Sequence, residues 1–498
     1  MKTQRLEPRN ETAAKQVPQK EFILYLVSVF FFSNFNGMAE QYRQAYLVNE
    51  LELHQNTVSW INGILRFVEF VLPFAYAIII DRAPKAGKDK IRPLVKFSII
   101  PIALVSFFLY WMPDMPEKNM AVFFLVTMAV FNLAFTFGDM VHRLPNVMTS
   151  DTGERDDILS IKSIASAIAN SAPLVVILVL GYIFEDQDRT QWIVGSVLSG
   201  LCCCIGFVIG MKTVKERTVY SPKKVDPWQG FADVLHNKYA LIIIFSDFLK
   251  EFRAIASYMG MFLAAVLLGS TSKFLFLGLP TAIGTMVGML IVKQLLKRFN
   301  SKQIYMGSGV YAVFANTIAF LVGREYLRNQ DNTFLLVAFI FFLFTIGLQY
   351  GASNLLPDMF KADILEDLEL KTHKRLEASL YKIIGIGGTL SRLIAGVIAP
   401  QVLYGEGSFI GYVRPIDGVH QPQTLETSER LLLVYTIWHG LMMLAAGLPF
   451  FLYKLTGKTR DDIHEQLLAY RSTLENEERE YSLTAAAKER EKELEETI

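Results

Sequence analysis

Arg66 and Glu69 stand three residues apart in "ILRFVEFVLPF", residues 64–74, a stretch that otherwise reads as the interior of a membrane-spanning helix. That spacing puts both on one helix face. Glu40 and Arg43 repeat it in the preceding apolar block. On insertion scales each ionised group costs roughly 2.5–3.5 kcal/mol at the centre of such a helix, so each needs a partner or a water-filled cavity. The set is wider than two pairs. Asp139, His142 and Arg143 lie in the inner part of a later block, with Lys162 just inside the next. "FSDFLKEFRA" brings Asp247, Lys250, Glu251 and Arg253, and a further apolar block holds Lys382 and Arg392.

Ion pairs that tie helices together account for one or two buried charges, and Arg143 and Lys162 are near enough to block ends to snorkel. Glu69 is not, since it lies about 12 residues, or roughly 18 Å, from the outer end of its helix. A polar central pathway accounts for the whole set. There a proton or bound cation offsets a buried carboxylate, so Glu69 and Asp139 are expected to hold a coupling ion, H⁺ or Na⁺. A proton needs one carboxyl, whereas Na⁺ needs several oxygens. Basic side chains bind carboxylate or phosphate groups of a solute, or act as internal counter-ions. The expected substrate-facing residues are Glu40, Arg43, Arg66, His142, Arg143, Lys162, Asp247, Lys250, Glu251, Arg253 and Lys382. Their excess of basic groups leans toward an anionic solute.

The elements that must position these charges follow from composition. The chain has 498 residues, of which 52% are hydrophobic and only 19% charged, too apolar for soluble domains of that length. Blocks such as "WIVGSVLSGLCCCIGFVIGM" and "TFLLVAFIFFLFTIGLQY" meet the requirement of about 20 helical residues per crossing. Twelve spans are expected, at about 22–48, 57–80, 93–113, 119–147, 158–184, 190–212, 239–267, 271–296, 303–324, 332–357, 377–403 and 429–455. The first follows a polar lead and no small-residue cleavage site, and reads as a retained helix. Lys and Arg crowd "DRAPKAGKDKIRP", the link at 213–238 and "KQLLKRFNSKQ", while the alternate links are short and poor in them. That bias puts residues 1–21, the even-numbered links and the tail at 456–498 in the cytoplasm. The long link at 213–238 divides 22–212 from 239–455, two groups of six. "RLPNVMTSDTGERDDILSIKS" after the fourth span echoes "LLPDMFKADILEDLELKTHKRLEAS" after the tenth, as internal repeats of transporters do. The tail reads as a solvated helix dense in both charge signs.

Other classes find little support. Cys202, Cys203 and Cys204 are consecutive, so they point in different directions around a helix and make neither a metal cage nor a disulfide. There is no HExxH, GxSxG or phosphate-cradling glycine loop, and the seven histidines are scattered, so no enzyme is expected. A net charge of +1 gives no reason to expect nucleic acid.

Three stretches are similar to the glycoside–pentoside–hexuronide:cation symporters of the major facilitator superfamily, the family of melibiose permease. "GILRFVEFVLPFAYAIIIDRAPKAGKDKIRPLV" resembles its second helix and the following link, with Asp81, Arg82, Gly87, Arg92 and Pro93 in place. "FGDMVHRLPNVMTSDTGERDDILSIKS" resembles the helix-four exit through Asp139, Asp151 and Arg155. "KADILEDLELKTHKRLEASLYK" keeps Asp363, Glu369, Lys371, Thr372, Arg375 and Glu377 of the family signature, with Glu366 for its second Asp. The likeness spans roughly 22–455. It implies an all-α fold of twelve transmembrane helices in two six-helix halves, cation-coupled symport by alternating access, and no cofactor beyond the coupling ion.

Residue by residue, the resemblance places Glu69 on the helix-two acidic position of the cation site and Asp139 at the junction of cation and sugar sites. Lys162 takes the place of a substrate-contacting arginine. Asp81, Arg82, Arg155, Asp363, Lys371 and Arg375 would form ion pairs that close a cytoplasmic gate. This chain departs from the pattern as well. Leu72 or Pro73 replaces a second helix-two aspartate, Ser33 and Asn34 stand near a missing helix-one aspartate, and Thr389 replaces a helix-eleven lysine. Loss of a carboxylate favours H⁺, or a rewired cation site using Glu40 and Asn34. The expected function is symport of a sugar, glycoside, hexuronide or similar polar solute by a monomer in the plasma (inner) membrane, its partners being solute, cation and lipid bilayer. The alternatives are a carrier of lysophospholipid or another anionic amphiphile and, from another class, a non-transporting sensor or scaffold.

Overall fold

A computed structural model describes residues 16–81, 89, 91–149, 152–184, 188–217, 227–372, 377–416 and 421–457, with isolated residues of the tail up to 469. Among the described residues the regular structure is helical, without a strand. Among the described residues ten helices are long and apolar enough to cross a membrane, from Gln19–Glu50 to Leu425–Leu452. Gln55–Asp81 and Arg92–Phe108 are helical where the second and third spans were expected. Helix is what hydrocarbon demands, because only it pairs every backbone group within the segment.

The outward faces show the consequence. Trp60, Ile100, Leu290, Phe314 and Phe334 are all exposed, as suits a surface meeting lipid. Small residues let the buried backbones approach. A Cβ on Gly351 would lie 2.2 Å from the backbone of Gly288, so the eighth and tenth spans touch main chain to main chain there.

Two elements exceed their expected bounds. The tenth helix runs Thr333–Thr372, through Pro357 and across most of the expected link. Its extension is held by helical-spacing pairs, Lys361–Asp358 at 2.9 Å and Lys371–Asp367 at 2.6 Å. The fifth starts early, at Thr152. The seventh is broken into Lys238–Glu251, Ala254–Tyr258 and Gly260–Leu268. The twelfth carries a π-turn at Val434–Trp438. Breaks and π-turns of this kind recur where backbone lines a functional site.

By backbone proximity the chain forms two compact units that interleave in sequence. The first comprises Met1–Lys223, Tyr258–Leu275 and Gly396–Ser428; the second comprises Lys224–Ser257, Phe276–Ala395 and Glu429–Ile498. Within the first, the Asn62 amide donates to Gly396 O at 3.0 Å and the Gln44 amide donates to Asn62 Oδ1 at 2.8 Å. The Tyr404 hydroxyl donates to Leu53 O at 2.9 Å, and Arg414 donates to the carbonyls of Glu52 and Leu53. Glu52 has φ 48°, the left-handed region, so Arg414 secures a turn that side chains other than glycine adopt at a cost. In the second, Tyr305, Phe360, Phe450 and Tyr453 stack into an aromatic core, with Phe450 4.6 Å from both Tyr305 and Phe360.

A charged cluster at a broken helix

In the first unit the two predicted pairs meet. Arg43 reaches Glu40 at 2.8 Å, Arg66 reaches Glu69 at 2.5 Å, and Arg66 crosses between helices to Glu40 at 2.9 Å. Arg43 also lies 3.9 Å from Glu69. Two carboxylates and two guanidiniums thus alternate in a neutral ring, and the Arg43 side chain is only 2% exposed. Tyr258, Asn62 and Arg66 converge around Gly396, each within 3.8 Å of where its Cβ would stand. Glu69 is consequently matched by arginine, which supplies the positive charge a coupling cation would otherwise bring.

Asp139 is placed differently. The fourth span ends as α-helix at Gly138 and continues as a 3₁₀ turn over Asp139–Arg143. Among the described residues Asp139 has neither hydrogen bond nor ion pair; the charges that act on it are those of Arg143 and Lys162. His142 packs edge-on against Phe32 at 5.8 Å. Asn34 is buried in the first helix and makes no hydrogen bond among the described residues.

The second unit gathers the other charges at the break in the seventh helix. Lys250 pairs with Asp247 at 2.6 Å and with Glu251 at 3.3 Å. Arg392, from the eleventh span, donates to Glu251 at 3.0 Å, and Arg253 lies 3.9 Å from the same carboxylate. Two carboxylates therefore face three cations. Arg253 stacks on Tyr350 at 4.8 Å, and its Nη1 is buried without a hydrogen-bond partner among the described residues. The Tyr350 hydroxyl is 3.1 Å from His439 Nδ1. Trp438 Nε1 donates to Phe252 O at 3.2 Å, taking a carbonyl at the break. Trp438 ends the π-turn and His439 follows it, so the extra residue of that turn sets both against the seventh helix. Gly388 makes the room: a Cβ there would sit 2.5 Å from Asp247 Oδ2.

Of the expected substrate-facing residues, Asp247, Lys250, Glu251 and Arg253 come together here. Lys382 does not join them and is exposed. Arg392, expected only as an intramembrane charge, completes the cluster, as do Tyr350 and His439, which were not singled out. The gate residues divide likewise. Asp363 pairs with Arg460 of the tail at 2.8 Å and Lys371 with Asp367, each within the second unit. Arg82 and Arg375, and the side chains of Asp81 and Arg155, lie outside what is described. In the first unit buried Glu21 binds Arg217 at 2.7 Å, and Glu216 caps the third helix by accepting from Ile91 N and Arg92 N at 2.8 Å.

The described residues thus form an all-helical protein with ten helices fit to cross a membrane, and in its second unit charges gather at a broken helix. The chain belongs to the MFS/sugar transport protein family, whose profile it matches over residues 24–457. The likeness to the glycoside–pentoside–hexuronide symporters is thereby borne out. An uncharacterized symporter of Bacillus subtilis (strain 168), YjmB, is 25% identical over 78% of this chain and 82% of its own. A protein of Salmonella typhimurium named for sulfoquinovose import is 22% identical over 80% of this chain and 81% of its own. Among solved structures, the nucleoside transporter NupG superposes with TM-score 0.59 at 14% identity, covering 87% of this chain and all of that one. A D-xylose–proton symporter gives 0.56 at 11% identity, over 88% of this chain and 98% of its own. The chain is a multi-pass membrane protein of the sugar-transporter kind.

Proposed function

We propose that the protein is a cation-coupled symporter that carries a sugar-like solute bearing an acidic group, working by alternating access with both termini in the cytoplasm. The carrying observation is Arg253, a guanidinium stacked on Tyr350 whose buried Nη1 edge has no hydrogen-bond partner among the described residues. Such an edge is suited to a carboxylate or sulfonate, which a charge-assisted hydrogen bond recognises at about twice the strength of a neutral one. The excess of cations in the same cluster supports the reading, and so does the name of the Salmonella relative.

Asp139 is the coupling carboxylate in this reading. Glu40 and Glu69 are neutralised within the arginine ring, whereas Asp139 has no cation within pairing distance among the described residues. A proton suits it better than Na⁺: one oxygen suffices for a proton, while a metal ion beside Arg143 and Lys162 would need further oxygen ligands. Uptake into proteoliposomes under an imposed pH or Na⁺ gradient, with labelled glucuronide, sulfonated sugar and neutral sugars, tests the proposal. Accumulation of an acidic sugar under a pH gradient, lost in Asp139→Asn while exchange persists, is expected. Uptake restricted to neutral sugars would refute the assignment of Arg253. Loss of coupling in Glu69→Gln with Asp139→Asn unaffected would move the cation to the arginine ring.

A further inference from the structure

Away from both charged clusters, the second unit holds a cavity of about 460 Å³ between the helices Leu275–Leu295, Ser301–Arg328 and Thr333–Thr372. Small-molecule sites span about 300–1,000 Å³, so the volume is that of a binding site and not a packing defect. Its walls are mostly apolar, and the rim residues Ile291, Leu295, Phe299 and Tyr311 are exposed. Gly307 lines it, and a Cβ there would meet nothing within 4 Å, so the space is open at the glycine itself.

Of the polar side chains on the wall, Gln303 accepts from Asn300 N, and the Ser308 and Tyr311 hydroxyls donate to Tyr305 O and Thr345 O, whereas Gln349 stands apart. Gln349 lines the cavity, is 2% exposed, and leaves both Nε2 and Oε1 without a hydrogen-bond partner among the described residues. An unpaired buried amide costs about 1–3 kcal/mol, so its partner is to be sought in a bound molecule. A second feature lies beside the rim. Lys293, Lys297 and Arg298 are exposed and carry no ion pair among the described residues, and they flank Leu295 and Phe299 in sequence.

We infer that this cavity is a binding site for an anionic phospholipid. The acyl chain fills the apolar volume; at about 30 Å³ per water-sized group it takes roughly fifteen methylenes. The Gln349 amide donates to an ester carbonyl. Lys297 and Arg298 hold the phosphate, as basic residues at a membrane surface hold acidic lipids. The exposed apolar rim lets the lipid enter sideways from the bilayer. The site is separate from the solute and cation sites proposed above, and does not depend on them.

Native mass spectrometry of the purified full chain, offered phosphatidylglycerol and phosphatidylcholine with the same acyl chains, tests the inference. The wild type is expected to retain one phosphatidylglycerol in preference to phosphatidylcholine. Gly307→Leu, whose Cβ meets nothing within 4 Å and whose side chain projects into the path of the acyl chain, should weaken retention strongly while the melting temperature stays near that of wild type. Lys297→Gln and Arg298→Gln alter only exposed side chains, and each should weaken the preference roughly fivefold. Equal retention of the two lipids, or phosphatidylglycerol held as well by Gly307→Leu, would overturn the proposal. So would a dimer that Gly307→Leu dissociates, since a second copy of the chain would then own the surface.

Discussion

The ring of Glu40, Arg43, Arg66 and Glu69 in the first unit and the cluster of Asp247, Lys250, Glu251, Arg253 and Arg392 in the second use the same chemical groups. They close differently. In the ring every charge has an opposite number, giving two carboxylates for two guanidiniums. In the cluster three cations share two carboxylates, and Arg253 stacks on Tyr350. Both groups leave buried atoms without a hydrogen-bond partner among the described residues, Arg43 Nε, Arg66 Nε and Glu69 Oε1 in the ring and Arg253 Nη1 in the cluster, so charge balance is what separates them. Buried ions that balance hold helices together; buried ions that do not balance wait for a ligand. The contrast separates scaffold from site within a set that looks uniform as a list of intramembrane charges.

The contrast can be broken most directly at Arg253. Arg253→Gln removes the unspent donor, and uptake of an acidic sugar should fall by about 10–100-fold, the worth of one or two charge-assisted hydrogen bonds. Uptake rates in proteoliposomes check this, and a fall of less than threefold would make Arg253 another structural cation. Next in size is the ring. Glu40→Gln strands two guanidiniums on one carboxylate and should destabilise by about 3 kcal/mol, the low end for a broken buried pair because Glu40 is part-exposed. Thermal unfolding in detergent should show the drop, and the double variant Glu40→Gln with Arg43→Gln should recover part of it by restoring charge balance.

A third variant, Gly388→Val, forces a side chain into the space of Asp247 Oδ2 and should lower uptake several-fold with a loss of about 1–3 kcal/mol from overpacking. Solute affinity and melting temperature, measured together, distinguish it from a purely structural defect. Smallest is Lys382→Gln. The side chain is exposed and outside the cluster, so stability should change by no more than about 0.5 kcal/mol and uptake should stay at the wild-type rate.

Part of this was legible in the sequence. The blocks of apolar residues and the signature stretches gave the fold and family, because span length and the cost of charge in hydrocarbon leave few alternatives. The pairs Glu40–Arg43 and Arg66–Glu69 were readable too, since three-residue spacing fixes neighbours on a helix. What joins those pairs was not. Arg66 meets Glu40 from a different helix, and Arg392 meets Glu251 across 141 positions of sequence. Tyr350 and His439 carry no anomaly of charge and read as ordinary aromatic residues of their spans. They become part of a site only through the break at Phe252–Arg253 and the π-turn at Val434–Trp438, neither of which glycine or proline marks. The coupling role expected of Glu69 rested on its depth in the helix and on a motif position, and neither reports that Arg43 of another helix stands beside it together with Arg66.

Two matched neutral exchanges test the division between scaffold and site most directly. Glu40→Gln with Arg43→Gln alters the ring, and Glu251→Gln with Arg253→Gln alters the cluster, each removing one charge of either sign. Equilibrium binding of an acidic sugar to the purified protein should be kept within about threefold by the first and lost by the second, as expected when a buried charged donor disappears. Binding lost in the first and kept in the second would place the solute on the arginine ring and contradict the account.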